Sequence, residues 1–81
     1  MWFIYILKCK DGSFYTGYTD DLDRRFSEHI NKKGGHYTSS HGVLKRIYSE
    51  SFQTKAEALR REKQIKGWSR EKKIRLLHLS G

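Results

Sequence analysis

The sequence predicts a small α+β domain, a three-stranded antiparallel sheet flanked by three helices in the order β-β-α-β-α-α. Three observations carry that expectation. An apolar run at residues 2–9 and an aromatic, β-branched run at residues 14–19 flank the turn dipeptide Asp11-Gly12, the pattern of a hairpin. Three later segments place apolar residues at helical spacing, each behind a capping residue. The chain has 81 residues, a length that closes around one core, so residues 1–81 are expected to form a single domain.

The elements follow in order. Strand one is expected over residues 2–9 and strand two from Phe14 to Thr19. Asp20 or Thr19 caps helix one, Leu22, Phe26 and Ile30 form its buried stripe, and Gly34-Gly35 stops it. Residues 36–42 hold small polar groups without a period and read as a loop. Val43 to Phe52 reads as strand three, with imperfect alternation of Leu44, Ile47, Tyr48 and Phe52. Thr54 and Glu57 have capping-box spacing and open a helix that carries Ala58, Leu59 and Ile65 until Gly67 stops it. Ser69 caps the last helix, expected to be buried through Ile74, Leu76 and Leu77.

Composition narrows the function classes. Hydrophobic residues make up 36% of the chain and aromatics 14%, enough to close a core and to exclude a disordered chain. Cys9 is the single cysteine, which excludes an internal disulfide and a cysteine-rich zinc cluster and fits a reducing cytoplasm. The apolar start has no basic segment before it and is far shorter than a bilayer span, so neither a targeting segment nor a membrane partner is expected. Seventeen Lys and Arg against nine Asp and Glu give a net charge of +8, a field that attracts polyanions and makes nucleic acid the leading partner. Six of those eight net charges fall between residues 55 and 75. There Lys63, Lys66, Arg70 and Lys73 are the candidates to rest on a phosphate backbone.

Individual residues carry the chemistry. Arg25 and His29 are four apart and share one helix face, about 60° and 20° to one side of Leu22. A fixed guanidinium beside an imidazole suits gripping a phosphate and handling a proton. A solvated arginine and a partly buried histidine on an ordinary amphipathic helix is the alternative. Glu62 falls at about 40° on its wheel, inside the stripe of Ala58, Leu59 and Ile65. A carboxylate there needs an arginine, a metal ion or several hydrogen bonds. Tyr5 and Tyr15 stand on the two hairpin strands, and Gly17 in a strand interior marks a bulge or a close approach. The tyrosines are either core residues with wet tips or proton-transfer groups. His36, His41 and His78 lack ligand spacing and receive no role, and Tyr37 or Thr38 of the loop is a candidate contact to a substrate strand.

Taken in order, Phe3-Ile4-Tyr5, Tyr15-Thr16-Gly17, Asp21 through His29 and Leu59 through Ile65 resemble the successive motifs of the GIY-YIG nuclease superfamily. The likeness covers almost the whole chain and is closest to small stand-alone bacterial members, which are similar to the amino-terminal nuclease domain of the bacterial repair excinuclease and to Slx-type nucleases. Phe3 replaces the first glycine of the name motif, Thr16 replaces a large aliphatic residue, and Tyr18 stands where some branches carry a lysine. The resemblance implies the same three-stranded fold and phosphodiester hydrolysis with one divalent ion, Mg²⁺ or Mn²⁺. By position, Glu62 would bind the metal and Arg25 would stabilise the scissile phosphate. Tyr5 or Tyr15 would act as, or orient, the base, with His29 assisting proton transfer. A DNA endonuclease acting on branched, nicked or single-stranded DNA, linked to repair or recombination, is the leading expectation. A catalytically weak nucleic-acid-binding module and an accessory subunit that requires a protein partner stay open beside it.

Overall fold

The structure is a computed structural model and describes residues 1–31 and 40–79. Strands β1 (Trp2–Cys9), β2 (Phe14–Thr19) and β3 (Val43–Phe52) form one antiparallel sheet in the order β2-β1-β3. Besides the helical residues Ser40 and His41, the helices among the described residues are α1 (Leu22–Ile30), α2 (Lys55–Lys66) and α3 (Arg70–Leu77). The expected β-β-α-β-α-α order is therefore observed.

The hairpin closes as the Asp11-Gly12 dipeptide requires. Gly12 adopts φ +86°, a backbone conformation open to glycine at no steric cost. Its N–H reaches the Cys9 carbonyl at 3.0 Å, and Asp11 Oδ1 accepts from the Ser13 N–H at 3.0 Å.

As the central strand, β1 is covered on both faces, which explains an apolar run where an exposed sheet would alternate. Successive side chains point to opposite faces. On one face Ile4 and Ile6 pack with Ala58 and Ile65 of α2 and with Leu77 and Leu79 at the end of α3. On the other face Tyr5 meets His29 of α1. The imperfect alternation of strand three has a cause in the ladder, because the β1–β3 register shifts between Ile6 and Leu7 and again between Lys8 and Cys9.

Several expectations are corrected. Asp21, not Asp20 or Thr19, caps α1, its side chain accepting from the Arg24 N–H at 3.0 Å. Asp20 is instead drawn to the Arg24 guanidinium at 2.8 Å, and the Thr19 hydroxyl accepts from the Asp21 N–H at 3.1 Å. The helix ends at Ile30 with Asn31 as its cap, and Gly34-Gly35 lie outside the described residues. Ile30 is 50% exposed, whereas His29 is buried, so the buried stripe is turned toward the residue that reaches Tyr5. Leu76 is likewise exposed. After Leu77 the left-handed His78 (φ 56°) folds the chain back, and Leu79 supplies the burial expected of Leu76. Ser40 and His41 are helical rather than looped, and the rest of the expected loop up to residue 39, with His36, Tyr37 and Thr38, lies outside the described residues.

Gly17 is the tightest fit in the sheet. It pairs directly with Tyr5 across β1 and β2, and a Cβ at this position would lie 2.6 Å from the Tyr5 hydroxyl and 2.7 Å from Cζ. The phenol has no free direction to retreat, since Tyr5 is only 3% exposed. Gly17→Ala is therefore expected to destabilise the fold by about 1–3 kcal/mol. Gly67→Ala, where the nearest heavy atom would be at an ordinary 3.5 Å, should leave the thermal midpoint nearly unchanged. Paired melts check this, and equal midpoints for the two variants would show that the Tyr5 ring does not need the space.

Candidate active site

Two strands and two helices deliver the site. Tyr5 comes from the middle of β1, Tyr15 and Gly17 from β2, Arg25 from the first turns of α1 and Glu62 from α2. All five line one cavity of about 330 Å³. His29 stands behind Tyr5, one helical turn beyond Arg25. The structure thus brings together Tyr5, Tyr15, Arg25, His29 and Glu62, which are separated by up to 57 positions in the chain.

The Tyr5 hydroxyl lies 2.8 Å from His29 Nε2 in buried surroundings. Burial is the largest influence on both groups. It pushes the Tyr5 phenol up to about 12 against the pull of Arg25, which also hydrogen-bonds it. It pushes the His29 imidazole down to about 4, with the Arg25 charge acting in the same direction. At neutral pH the phenol keeps its proton and the imidazole is neutral with one N–H, and in the tautomer protonated at Nδ1 Tyr5 donates and His29 Nε2 accepts. The Tyr15 ring completes the cluster, 6.4 Å from the Tyr5 ring and 5.3 Å from that of His29.

Arg25 keeps its guanidinium at the cavity wall, with Nη1 3.3 Å from Glu28 Oε1. Glu62 is 7% exposed, as its place in the apolar stripe implies. It pairs with Lys66 at 3.3 Å, one turn on, and not with an arginine, one of the three kinds of partner that its burial calls for. The adjacent Arg61 is instead held by Glu50 at 3.1 Å. The spacing that carries both site contacts is present in the sequence, three residues from Arg25 to Glu28 and four from Glu62 to Lys66. Trp2, Tyr18 and Arg24 also line the cavity. Sequence reasoning misses them, because each reads equally well as ordinary core or surface.

The basic residues divide. Lys66 lies 6.0 Å from the Tyr15 ring centroid and Arg70 4.8 Å from that of Phe14. Lys73 is close enough for Lys66 to help lower its pKa, although burial contributes more. These three gather beside β2 at the Glu62 side of the cavity. Lys63 is exposed and turned about 100° from Glu62 on α2.

A divalent ion implied by the resemblance is tested by the donor set. Among the described residues no three His, Cys, Asp or Glu come together as a metal cage. Asp20, Glu28 and Glu62 all line the cavity, and Glu62, the buried carboxylate among them, suits a hard ion such as Mg²⁺ or Mn²⁺, which completes its shell with water and substrate oxygens. It does not suit a structural zinc site.

The Tyr5–His29 arrangement predicts the pH dependence of stability. Between pH 6.5, the ordinary His value, and about 4, the folded value of His29, the unfolded chain binds a proton that the folded chain does not. Stability contributed by neutral His29 is therefore complete above 6.5 and lost as pH falls through that window, by about 3 kcal/mol at its lower end. Melting the parent and His29→Gln from pH 7.5 to 4 should show a steeper acid loss in the parent. Parallel curves would mean that His29 titrates as an ordinary exposed histidine.

Comparison with known proteins adds the lineage. A family model described as the GIY-YIG catalytic domain matches residues 1–75. The UPF0213 protein SSP2268 of Staphylococcus saprophyticus is 49% identical over 75 residues, covering 93% of this chain and 92% of that protein. The UPF0213 protein BH0048 of Halalkalibacterium halodurans is 47% identical over 79 residues, covering 98% and 84%. The solution NMR structure of the UPF0213 protein BH0048 from Bacillus halodurans superposes with a TM-score of 0.61 at 46% identity, covering 96% of this chain and 84% of that one. No helix among the described residues is long and apolar enough to cross a membrane. The ordered motifs, the cavity they share and the match over residues 1–75 place this chain in the GIY-YIG family.

Proposed function

We propose that the protein is a divalent-metal-dependent DNA endonuclease that hydrolyses phosphodiester bonds in the cytoplasm, in DNA repair or recombination. The observation that carries this reading is the Tyr5 hydroxyl 2.8 Å from His29 Nε2, on a cavity shared with Arg25 and Glu62. A family match alone gives lineage, whereas the hydrogen-bonded pair beside two charge-bearing groups on one open cavity supports a proton path at a bound phosphate.

The residues divide the work as follows. Arg25 grips the scissile phosphate and meets charge growing on its non-bridging oxygens. As water attacks phosphorus, its proton passes to the Tyr5 oxygen while the Tyr5 proton passes to His29 Nε2. A phenol held up to about 12 is thus never asked to exist as a free phenolate. Tyr15 packs against both rings and fixes their orientation. Glu62 would hold one Mg²⁺ or Mn²⁺, which when bound supplies positive charge to the phosphate oxygens. As the new P–O bond forms, the ester P–O bond on the opposite side breaks, and the leaving alkoxide takes a proton from solvent water. Lys66, Arg70 and Lys73, with Lys63 farther out, would carry the flanking backbone by contacts indifferent to sequence.

Cleavage of labelled branched, nicked, single-stranded and fully paired DNA with Mg²⁺, with Mn²⁺ and with EDTA tests the reading. Turnover is expected with either metal and none with EDTA. Glu62→Gln should remove cleavage with little change in melting or DNA affinity, since it deletes the ligand charge and keeps the shape. Arg25→Ala should lower cleavage by at least about 10²-fold, the scale of losing one preorganised charge-stabilising donor. A Glu62→Gln protein that melts like the parent and cuts as fast would remove Glu62 from the mechanism.

A further inference from the structure

Glu62 serves the cavity only if α2 is held at one rotation against the sheet. With Ala58 at zero on the helical wheel, Ile65 falls at about 340°, Glu62 at about 40° and Arg61 at about 300°. Ala58 and Ile65 are buried in the cluster with Ile4 and Ile6, so Glu62 and Arg61 flank that contact on opposite sides. The two flanks serve opposite edges of the β2-β1-β3 sheet. Glu62 lines the cavity with Tyr15 and Gly17 of β2, whereas Arg61 reaches Glu50 of β3.

The Arg61–Glu50 contact is a fork. Nε donates to the two carboxylate oxygens at 3.2 and 3.3 Å, and Nη2 donates to Oε2 at 3.1 Å. Nη1 donates to Gln64 Oε1 at 2.7 Å, and the guanidinium carbon lies 5.3 Å from the Trp68 ring centroid. The Tyr48 hydroxyl donates to Glu50 from the same strand. Glu50 pairs with Ile4 and Tyr48 with Ile6 across β1 and β3, which turns both toward the face that α2 covers. A planar guanidinium engaged in this way carries direction as well as charge.

Other contacts of α2 do not supply that direction. Lys66 rides on the same helix as Glu62 and so cannot fix that helix against the sheet, and the apolar contact of Ala58 and Ile65 is non-directional. A partly buried ion pair adds little net stability, because desolvation offsets its attraction, and its better-attested use is to specify one arrangement over another. With side chains a helix is about 10–12 Å across, so a turn of about 10° about its axis carries a side-chain tip about 1 Å. A displacement of that size is costly at a catalytic site.

We propose that Glu50 and Arg61 are positioning residues, a clamp on β3 that fixes the rotation of α2 and thereby presents the Glu62 carboxylate to a divalent ion at the β2 edge. This inference rests on the reading of Glu62 as the metal ligand and assigns the residues that hold it in place.

Broadening of backbone amide signals by Mn²⁺, recorded without DNA and well below each melting midpoint, reads the metal site apart from turnover. In the parent the amides around Glu62 should broaden first. Glu50→Gln and Arg61→Gln should each raise the Mn²⁺ concentration for half-broadening about tenfold, the low end of the range for groups that orient a ligand. One change raises the net charge and the other lowers it, so an effect of charge alone would weaken Mn²⁺ binding in the first and strengthen it in the second. Arg61→Lys keeps the charge and loses the fork, and should behave like the Gln variants. Arg60→Gln removes the same charge from the neighbouring exposed position and should change half-broadening less than about twofold, since an exposed charge is screened. Melts identify any variant that fails to fold, and Arg61→Lys keeps the test decisive if a Gln variant is lost. Parental half-broadening in the clamp variants, opposite effects of the two Gln changes, or a parent without selective broadening around Glu62 would overturn the inference. A parent that binds Mn²⁺ at Glu62 but cuts no DNA form with either metal would overturn the nuclease reading and leave the clamp standing.

Discussion

The hydrogen bond between Tyr5 and His29 organises the molecule around it. It joins the middle of the central strand to α1 and is buried on the sheet face opposite the Ile4–Ile6 core. A hydroxyl and an imidazole taken out of water at this depth are costly unless each satisfies the other. That requirement explains why His29, and not Ile30, occupies the buried side of α1. It also explains Gly17, whose missing side chain leaves the volume that the phenol fills. Burial then sets the chemistry, because the same desolvation that makes the pair expensive keeps tyrosine protonated and histidine neutral.

Charge is distributed in keeping with this centre. The chain has a strong positive balance, yet the cavity retains a buried carboxylate at Glu62. Lys66 offsets it within the helix, which helps α2 carry an acid in its apolar stripe. Around the cavity, cations lie against aromatic rings, Lys66 on Tyr15, Arg70 on Phe14 and Lys55 on Trp2 and Tyr18. Such pairs hold long side chains in place while leaving their charge toward solvent. The result is a positively charged approach to a site with a buried carboxylate inside, an electrostatic arrangement suited to a polyanion that meets a divalent ion at its destination.

What is legible in the sequence depends on the range of the interaction. The strands and the two later helices are set by local signals, the Asp11-Gly12 turn, the Thr54 cap and the Ser69 cap, and they appear where those signals place them. The cap of α1 falls one residue beyond the expected pair because Thr19, Asp20 and Asp21 are all able to cap, and only the pairing of Asp20 with Arg24 decides between them. The buried side of α1 departs from its periodicity for a related reason. Periodicity favours isoleucine over histidine at a buried position, and the tyrosine that draws His29 inward is 24 residues away. Glu62 is legible as an anomaly because its helix is otherwise regular. Its convergence with Tyr5 and Arg25 comes only through the ordered family motifs, since no local rule relates a strand residue to a helix nearly sixty positions on.

In the mechanism we propose, Tyr5 and His29, joined by a buried hydrogen bond, act as one proton-handling unit and not as two independent groups. A double-mutant cycle on the rate of DNA cleavage, with Tyr5→Phe, His29→Gln and both together, separates the two cases. If the proton passes through both, either change interrupts the path, and the double variant cuts no more slowly than the slower single variant. Losses that multiply, or a Tyr5→Phe protein that cuts at the parental rate, would show that the two residues do not share a proton path.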